Sequence, residues 1–280
     1  DKRTKVRNTL VITILTIALI AFFNYAFEGD WVSIGIFTAC IVFPVLILLD
    51  GSLTKIERSR IFVIYIVAFF VIFFWAAYEQ AGASLTLFAA EQTDRTILGW
   101  EMPASWIQSF NPFFVVILAA IMPSVWGALN KRGMEPASPT KQAIGLLLLS
   151  LGYLVICFGV KDVQPGVKVS LIWLTGLYFI HTMGEIALSP IGLSMANKLT
   201  PVRFASLMMG IWYLSTSTAN KFAGTLGGLY PEDGKVKTLL GFRIETMFDF
   251  FMVFVIMSGV ASLILFLLSK KLQKMMHGVE

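Results

Sequence analysis

The residues of this 280-residue chain best suited to chemistry are acids set where acids are costly. Glu185 lies near the middle of an apolar stretch, 169–197, long enough to cross a bilayer, for which roughly 20 apolar residues suffice. An ionised carboxylate at the centre of a membrane helix costs about 2.5 kcal/mol or more, so Glu185 should face a partner or a wet cavity rather than lipid. His181 and Ser189 lie one helical turn to either side on the same face. Pro190 leaves the Ile186 carbonyl without a helical donor and can bend the segment. Two readings stay open: Glu185 is a functional carboxylate, or it pairs with His181 or a neighbouring helix as structural glue. His181 suits a packing hydrogen bond or, by its ordinary pKa, a proton relay.

A second acid, Glu79, stands in the apolar run Phe74–Phe88. Trp75, Tyr78, Gly82 and Thr86 share its face at helical spacing, giving an aromatic platform beside a charge. That combination suits a cationic amphiphile; it also suits an aromatic stripe packed on another helix, with Gly82 allowing close approach. Gln80 could bind a ligand or join helices as a neutral amide. Asn111, directly before Pro112, is disfavoured from regular helix, so its side chain can cap a helix or reach a cavity. Further along, Trp212, Ser215 and Thr216 share a face.

The elements that must hold these residues are membrane helices. Hydrophobic residues make up 57%, charged residues 14%, and the mean hydropathy is +0.78, which excludes a soluble domain and indicates an all-α polytopic membrane protein. The net charge of +5 needs no nucleic acid, since basic residues gather on the cytoplasmic side of membrane proteins. Cys40 and Cys157 sit in apolar segments and read as reduced packing residues, with no metal-ligand spacing. The basic run at 1–7 precedes an apolar stretch too long for a signal peptide, and the absence of an initiator Met suggests a fragment.

Eight spans can be marked: 8–27, 31–49, 60–90, 110–129, 142–160, 169–197, 204–229 and 246–269. With the N-terminus cytoplasmic, Lys and Arg number fifteen in the loops on that side and six in the loops opposite, which supports both the count and the orientation. The first two spans are apolar all round and read as a peripheral, lipid-facing hairpin over 1–58 without substrate contact. Trp100 and Trp106 suit the interfacial aromatic belt. The fifth span supports the others, Gly224 and Gly228 suggest a packing seam, Lys221 should snorkel or pair locally, and the last span looks lipid-facing.

Four motifs in order along the chain then become informative together: Trp75-x-x-x-Glu79-Gln80 with Gly82 and Ser84; Phe110-Asn111-Pro112; Gly184-Glu185 with Pro190, Gly192 and Ser194; and Met209-Gly210-x-Trp212. They resemble the proton-dependent oligopeptide transporter family of the major facilitator superfamily, across its C-terminal half. The resemblance implies that 59–280 is a six-helix bundle, helices seven to twelve of that fold, and that the first two spans are the extra hairpin of bacterial members. It implies a proton-coupled symporter of di- and tripeptides in the bacterial inner membrane, both ends of this chain cytoplasmic, whose N-terminal six-helix half supplies the other cavity wall. Glu185 would receive the peptide ammonium, with Asn111 and Gln80 adding hydrogen bonds. Trp75, Tyr78, Trp212 and Ser215 would line side-chain pockets. Glu79 would pair with an arginine of the absent first helix and couple gating to protonation. The proton is the coupling ion, and no metal or other cofactor is implied. The same scaffold could carry another small solute, such as nitrate, an amino-acid derivative or a peptide-like drug. A membrane hydrolase is disfavoured, for the chain has no Gly-x-Ser-x-Gly and no second histidine within a span.

Overall fold

A computed structural model describes residues 2–279 apart from 162, 164, 165, 233 and 234, so the basic run expected at 1–7 falls partly outside the described residues. Nine α-helices carry the described chain: α1 Lys2–Ala26, α2 Trp31–Leu48, α3 Lys55–Tyr78, α4 Ser84–Glu91, α5 Phe110–Lys131, α6 Ser138–Val160, α7 Leu171–Leu199, α8 Ala205–Gly227 and α9 Met247–Met275. Seven segments are long and apolar enough to cross a membrane, α3 and α4 counting as one, and the protein is a multi-pass membrane protein. The seventh expected span, α8, is the one left out of these: it is long enough but more polar. Of its polar residues, Ser215 and Thr218 are buried where the helix packs between α2, α3 and α7, and Lys221 is paired with Asp30, while Ser217 and Asn220 are exposed.

The third span is not one helix. α3 starts earlier than the hydropathy suggests, at a capping box in which Thr54 and Glu57 exchange side-chain and backbone hydrogen bonds. It ends at Tyr78, gives way to a 3-10 turn over Glu79–Gly82, and resumes as α4 after Ala83, whose backbone lies outside the helical region. Side chains satisfy the disturbed carbonyls, as irregular backbone at membrane depth requires. Gln80 Nε2 donates to the Ala76 carbonyl (3.2 Å) and Thr86 Oγ1 to that of Ala81 (2.7 Å).

α1 and α2 form a hairpin whose turn ends at Asp30, the N-cap of α2. Asp30 Oδ1 accepts from the Val32 and Ser33 amides, while Oδ2 accepts from Ser33 Oγ and pairs with Lys221 Nζ of α8 at 2.5 Å. Lys221 therefore pairs across the fold rather than locally, and α2 is not lipid-facing all round. It buries Ser33, Ile34, Thr38 and Ile47, and Cys40 Sγ lies 2.9 Å from Thr218 Oγ1. The Lys221 ammonium, and then Ser33, hold the Asp30 carboxyl well below the usual carboxylate range. A depressed carboxylate stabilises the fold above its ordinary pKa of about 3.9, and that contribution is lost as pH falls through the depressed value. The Asp30 carboxylate thus stays charged opposite Lys221 throughout the physiological range.

The core is organised by α6, which packs most extensively on α9 and α7. Where α6 crosses α7 the backbones touch. A Cβ on Gly145 would sit 2.7 Å from Leu188 Cβ, and one on Gly184 would sit 2.9 Å from the Gly145 carbonyl oxygen. Between α6 and α9, Ser150 Oγ donates to the Val255 carbonyl (2.8 Å) and Ser262 Oγ to that of Ala143 (2.7 Å). α9 consequently buries Phe250, Phe251, Phe254 and Leu265 on one face, in contrast to the lipid-facing helix suggested by its composition. The seam expected at Gly224 and Gly228 does not form: nothing lies within 4 Å of a Cβ built on Gly224.

Short strands close the loops that follow the third, fifth and seventh spans. β1 (Thr93–Asp94) pairs in parallel with a second strand in the loop before α7, β4 (Val169–Ser170). Two antiparallel hairpins, β2 (Thr96–Ile97) with β3 (Trp100–Glu101) and β5 (Lys237–Leu239) with β6 (Phe242–Ile244), share an unusual turn. Leu98–Gly99 and Leu240–Gly241 are all left-handed, with φ of 51°, 81°, 49° and 85°. A leucine there costs about 1–2 kcal/mol of backbone strain.

Thermal unfolding of the purified protein checks the α6–α7 crossing. Gly145→Ala or Gly184→Ala should each cost about 1–3 kcal/mol, since no flexible side chain can yield at either position. Gly224→Ala, into open space on a helix, should be neutral or stabilising by up to about 1 kcal/mol. Equal shifts at all three would show that the crossing is not tight.

Candidate functional site

Three helices bring polar groups to one point. α7 carries Glu185 at mid-length, α3 ends at Tyr78, and α5 begins at Phe110 with Asn111 in its first turn. Tyr78 Oη donates to Glu185 Oε2 at 2.5 Å, and Asn111 Nδ2 donates to the same oxygen at 2.8 Å. Asn111 Nδ2 also donates to Thr182 Oγ1 (3.2 Å) and to Tyr78 Oη. Thr182 in turn donates to the Tyr178 carbonyl at 2.7 Å. Glu185 Oε1 accepts no hydrogen bond among the described residues. A half-buried carboxylate is thus held by two neutral donors with one oxygen to spare, an arrangement able to receive a cation or an ammonium group.

The local sequence explains the convergence. Asn111 does not cap α5; Ser109 takes the N-cap position, without a side-chain hydrogen bond, and Asn111 lies inside the first turn. Pro112 follows in the same turn, where its missing N–H has no helical acceptor to leave empty. The Asn111 amide is therefore free to reach across to α7. Tyr78 is aimed by its neighbours: its ring stacks on Phe74 (5.4 Å between centroids) and meets Trp75 edge-on (5.3 Å, 78°). Trp75 thereby lies beside the cluster and is partly buried.

His181 is not part of the carboxylate's hydrogen-bonded shell. It is buried, its Nε2 donates to the Leu149 carbonyl at 3.1 Å, and its ring packs 4.7 Å from that of Tyr153. Glu79, at the opening of the 3-10 turn, is exposed and forms no ion pair with the described residues.

Two expected contacts lie elsewhere. Gln80 is fully buried and its amide is fully employed: Nε2 donates to Ala76 and Ala223 carbonyls (3.2 and 2.9 Å), and Oε1 accepts from Ser84 Oγ (2.6 Å). It joins the α3 break to α8 and does not face the cluster. Ser215 donates to the Trp212 carbonyl at 2.6 Å and lines a cavity of about 510 Å³ with Cys40, Tyr65 and Thr218, on the hairpin side of α8. Trp212 faces α7 instead and is packed on Gly192, two turns from Glu185, where a Cβ would lie 2.9 Å from its ring. Three residues apart on α8, the two side chains serve different neighbours. Thr182 was not expected at the site; its position three residues before Glu185 is the signal that could have found it. Among the described residues no group of three or more His, Cys, Asp and Glu side chains is placed to hold a metal ion.

A multi-pass helical bundle with a half-buried carboxylate at a three-helix confluence defines a membrane protein with a polar site among its helices, and comparison with known proteins specifies it. The sequence model of PTR2, the POT family, matches residues 5–239. The chain belongs to the POT family. It is 37% identical to the peptide transporter YePEPT of Yersinia enterocolitica over 65% of this chain and 36% of that protein. It is 28% identical to dipeptide and tripeptide permease A of Escherichia coli over 96% of this chain and 53% of the permease. A crystal structure of a mutant peptide transporter POT in complex with alafosfalin superposes with a TM-score of 0.78 at 28% identity, over 98% of this chain and 54% of that one. A POT family transporter in complex with 5-aminolevulinic acid gives 0.74 at 25% identity, over 97% and 55%. The fold is therefore that of POT transporters, of the major facilitator type, and the chain spans about half the length or less of the relatives it matches.

Gln80→Ala should lower thermal stability by about 1–3 kcal/mol, because the Ala223 carbonyl and Ser84 hydroxyl lose a buried partner. Ser215→Ala, which removes only a bond to its own helix, should stay within about 0.5 kcal/mol of the parent. Thermal unfolding of both variants decides whether the two side chains differ in this way.

Proposed function

We propose that this chain forms the C-terminal half of a proton-coupled symporter of di- and tripeptides, in which two six-helix halves open a shared cavity alternately to either side of a bacterial inner membrane. The observation that carries this reading is the Glu185 carboxylate, fixed by Tyr78 and Asn111 on Oε2 and open on Oε1. A terminal ammonium meeting that oxygen in a water-poor cavity gains far more than it would in bulk water. Tyr78 and Asn111 orient the carboxylate and keep it from turning to lipid, Trp75 supplies an apolar wall, and Trp212 bounds the cavity where α8 meets α7. Gln80 and Ser215 support the helices rather than the peptide. Glu79, exposed at the break in α3, is where an arginine of the N-terminal half would pair, and protonation of this carboxylate would release that partner.

The proton serves as the coupling ion and no metal or cofactor takes part. The chain works as a transporter and not as an enzyme, in keeping with the peptide transporters among its relatives. Its partners are peptides, the bilayer and the N-terminal half, with no nucleic acid. The excess of basic residues in alternate loops favours both ends of the chain on the cytoplasmic side.

The test uses the full-length transporter and competition against a labelled dipeptide. Glu185→Gln should weaken binding roughly 10- to 150-fold, the equivalent of about 1.5–3 kcal/mol for a hydrogen bond to a charged group. N-acetylation of the peptide should weaken binding to the parent similarly and add little in the variant. Additive losses, or none, would remove Glu185 from the ammonium site, and uptake that ignores a proton gradient would exclude coupling.

A further inference from the structure

The β5–β6 hairpin carries its leucine turn at a surface where water would disfavour it twice over. Leu240 is fully exposed (102%) and left-handed, a position that normally selects Asn, Asp or Gly, and it has no polar group to offer solvent. The hairpin is two-faced. Leu239 pairs across the ladder with Phe242 and their side chains share one face, whereas Thr238 and Arg243 share the other.

The apolar face overhangs a groove in the bundle. Leu239, Leu240 and Phe242 line a cavity of about 760 Å³ whose other walls come from α3, α8 and α9, among them Phe73, Phe222, Ile256, Val260 and Ile264. Every residue lining it is apolar, so it offers a peptide or a polar solute nothing to orient by. Ile256 and Val260 are half exposed on a helix long enough to span the membrane, which makes the groove continuous with the surface that this helix presents to lipid. Along α9 the groove runs from Val253 to Ile264, about 16 Å at 1.5 Å per residue, or roughly one leaflet of a hydrocarbon core about 30 Å thick. Charges gather at the root of the hairpin instead: Lys235 and Lys237 pair with Glu232 at 2.7 and 3.0 Å, and Arg243 with Glu245 at 2.7 Å. Apolar tip and ionic root match the change from hydrocarbon to headgroup across a leaflet.

We propose that the tip of the β5–β6 hairpin is immersed in the leaflet opposite the basic loops, where Leu239, Leu240 and Phe242 close a slot that holds a phospholipid acyl chain against α3, α8 and α9. The hairpin is then a membrane-embedded part of the fold and not a solvent loop.

The test is made with the full-length protein in phosphatidylcholine–phosphatidylglycerol nanodiscs, with accessible native cysteines replaced and an NBD fluorophore on Leu240→Cys or, as the opposite-face control, on Thr238→Cys. Both positions are exposed, so neither substitution disturbs the core. Nitroxide groups on the lipid acyl chains should quench the 240 label at least threefold more than the 238 label, and aqueous iodide should quench them in the reverse order. Iodide quenching at 240 equal to that at 238, with no lipid quenching, would place the tip in water and overturn the proposal. Shielding of the 240 label from both quenchers would mean that protein, for instance a second copy, covers the slot, and would overturn it equally.

Discussion

A carboxylate that must remain inside a bilayer dictates much of what surrounds it. Glu185 cannot be left to lipid, and hydrogen bonds from Tyr78 and Asn111 offset part of its desolvation. Both donors sit where regular helix stops or starts. Tyr78 closes α3 just before the 3-10 turn, and Asn111 opens α5 beside a proline. Three helices are thus committed to meeting at one depth, and the remaining bundle is arranged around that meeting.

Breaking α3 at this depth creates a second obligation, since freed backbone carbonyls have no water to turn to. The protein meets it with side chains that composition alone marks as candidate ligand groups. Gln80 bridges the break to α8, Thr86 takes the Ala81 carbonyl, and Tyr153 from α6 donates to the Ala77 carbonyl at 2.6 Å. Polarity within the membrane here divides into two kinds: groups employed in holding the backbone, and the Glu185 cluster, which keeps an acceptor in reserve.

That division explains what the sequence discloses and what it conceals. Seven membrane-length segments are legible because twenty apolar residues in a row have few other folds available, and Glu185 is legible because an acid in such a row has few uses. Asn111 is betrayed by the proline behind it. Gln80 and Ser215 mislead because the face a polar residue presents depends on the helical phase of its own segment. The 3-10 turn shifts that phase after Tyr78, while Trp212 and Ser215, close in sequence, straddle the boundary between two neighbouring helices. Lys221 finds its acid 191 residues away, beyond any local pattern. The spacing of Gly224 and Gly228 looks like a seam yet meets no other helix, whereas Gly145 and Gly184, on different helices, are in contact.

The contact between Gly145 and Gly184 has a mechanical meaning. Helices separated by interlocking side chains tolerate small shear, because rotamers readjust as one helix slides past another. Backbone resting on backbone has no such compliance. With α9 also tied to α6 through Ser150 and Ser262, the trio α6, α7 and α9 behaves as a stiff plate. Displacement within the bundle is left to the side-chain-filled boundaries, where α5 leans on α7 and where α3 leans on α8. Glu185 is mounted on the plate and Tyr78 is tied to it by the Tyr153–Ala77 hydrogen bond, while Asn111 rides on α5, across the side-chain-filled boundary with α7.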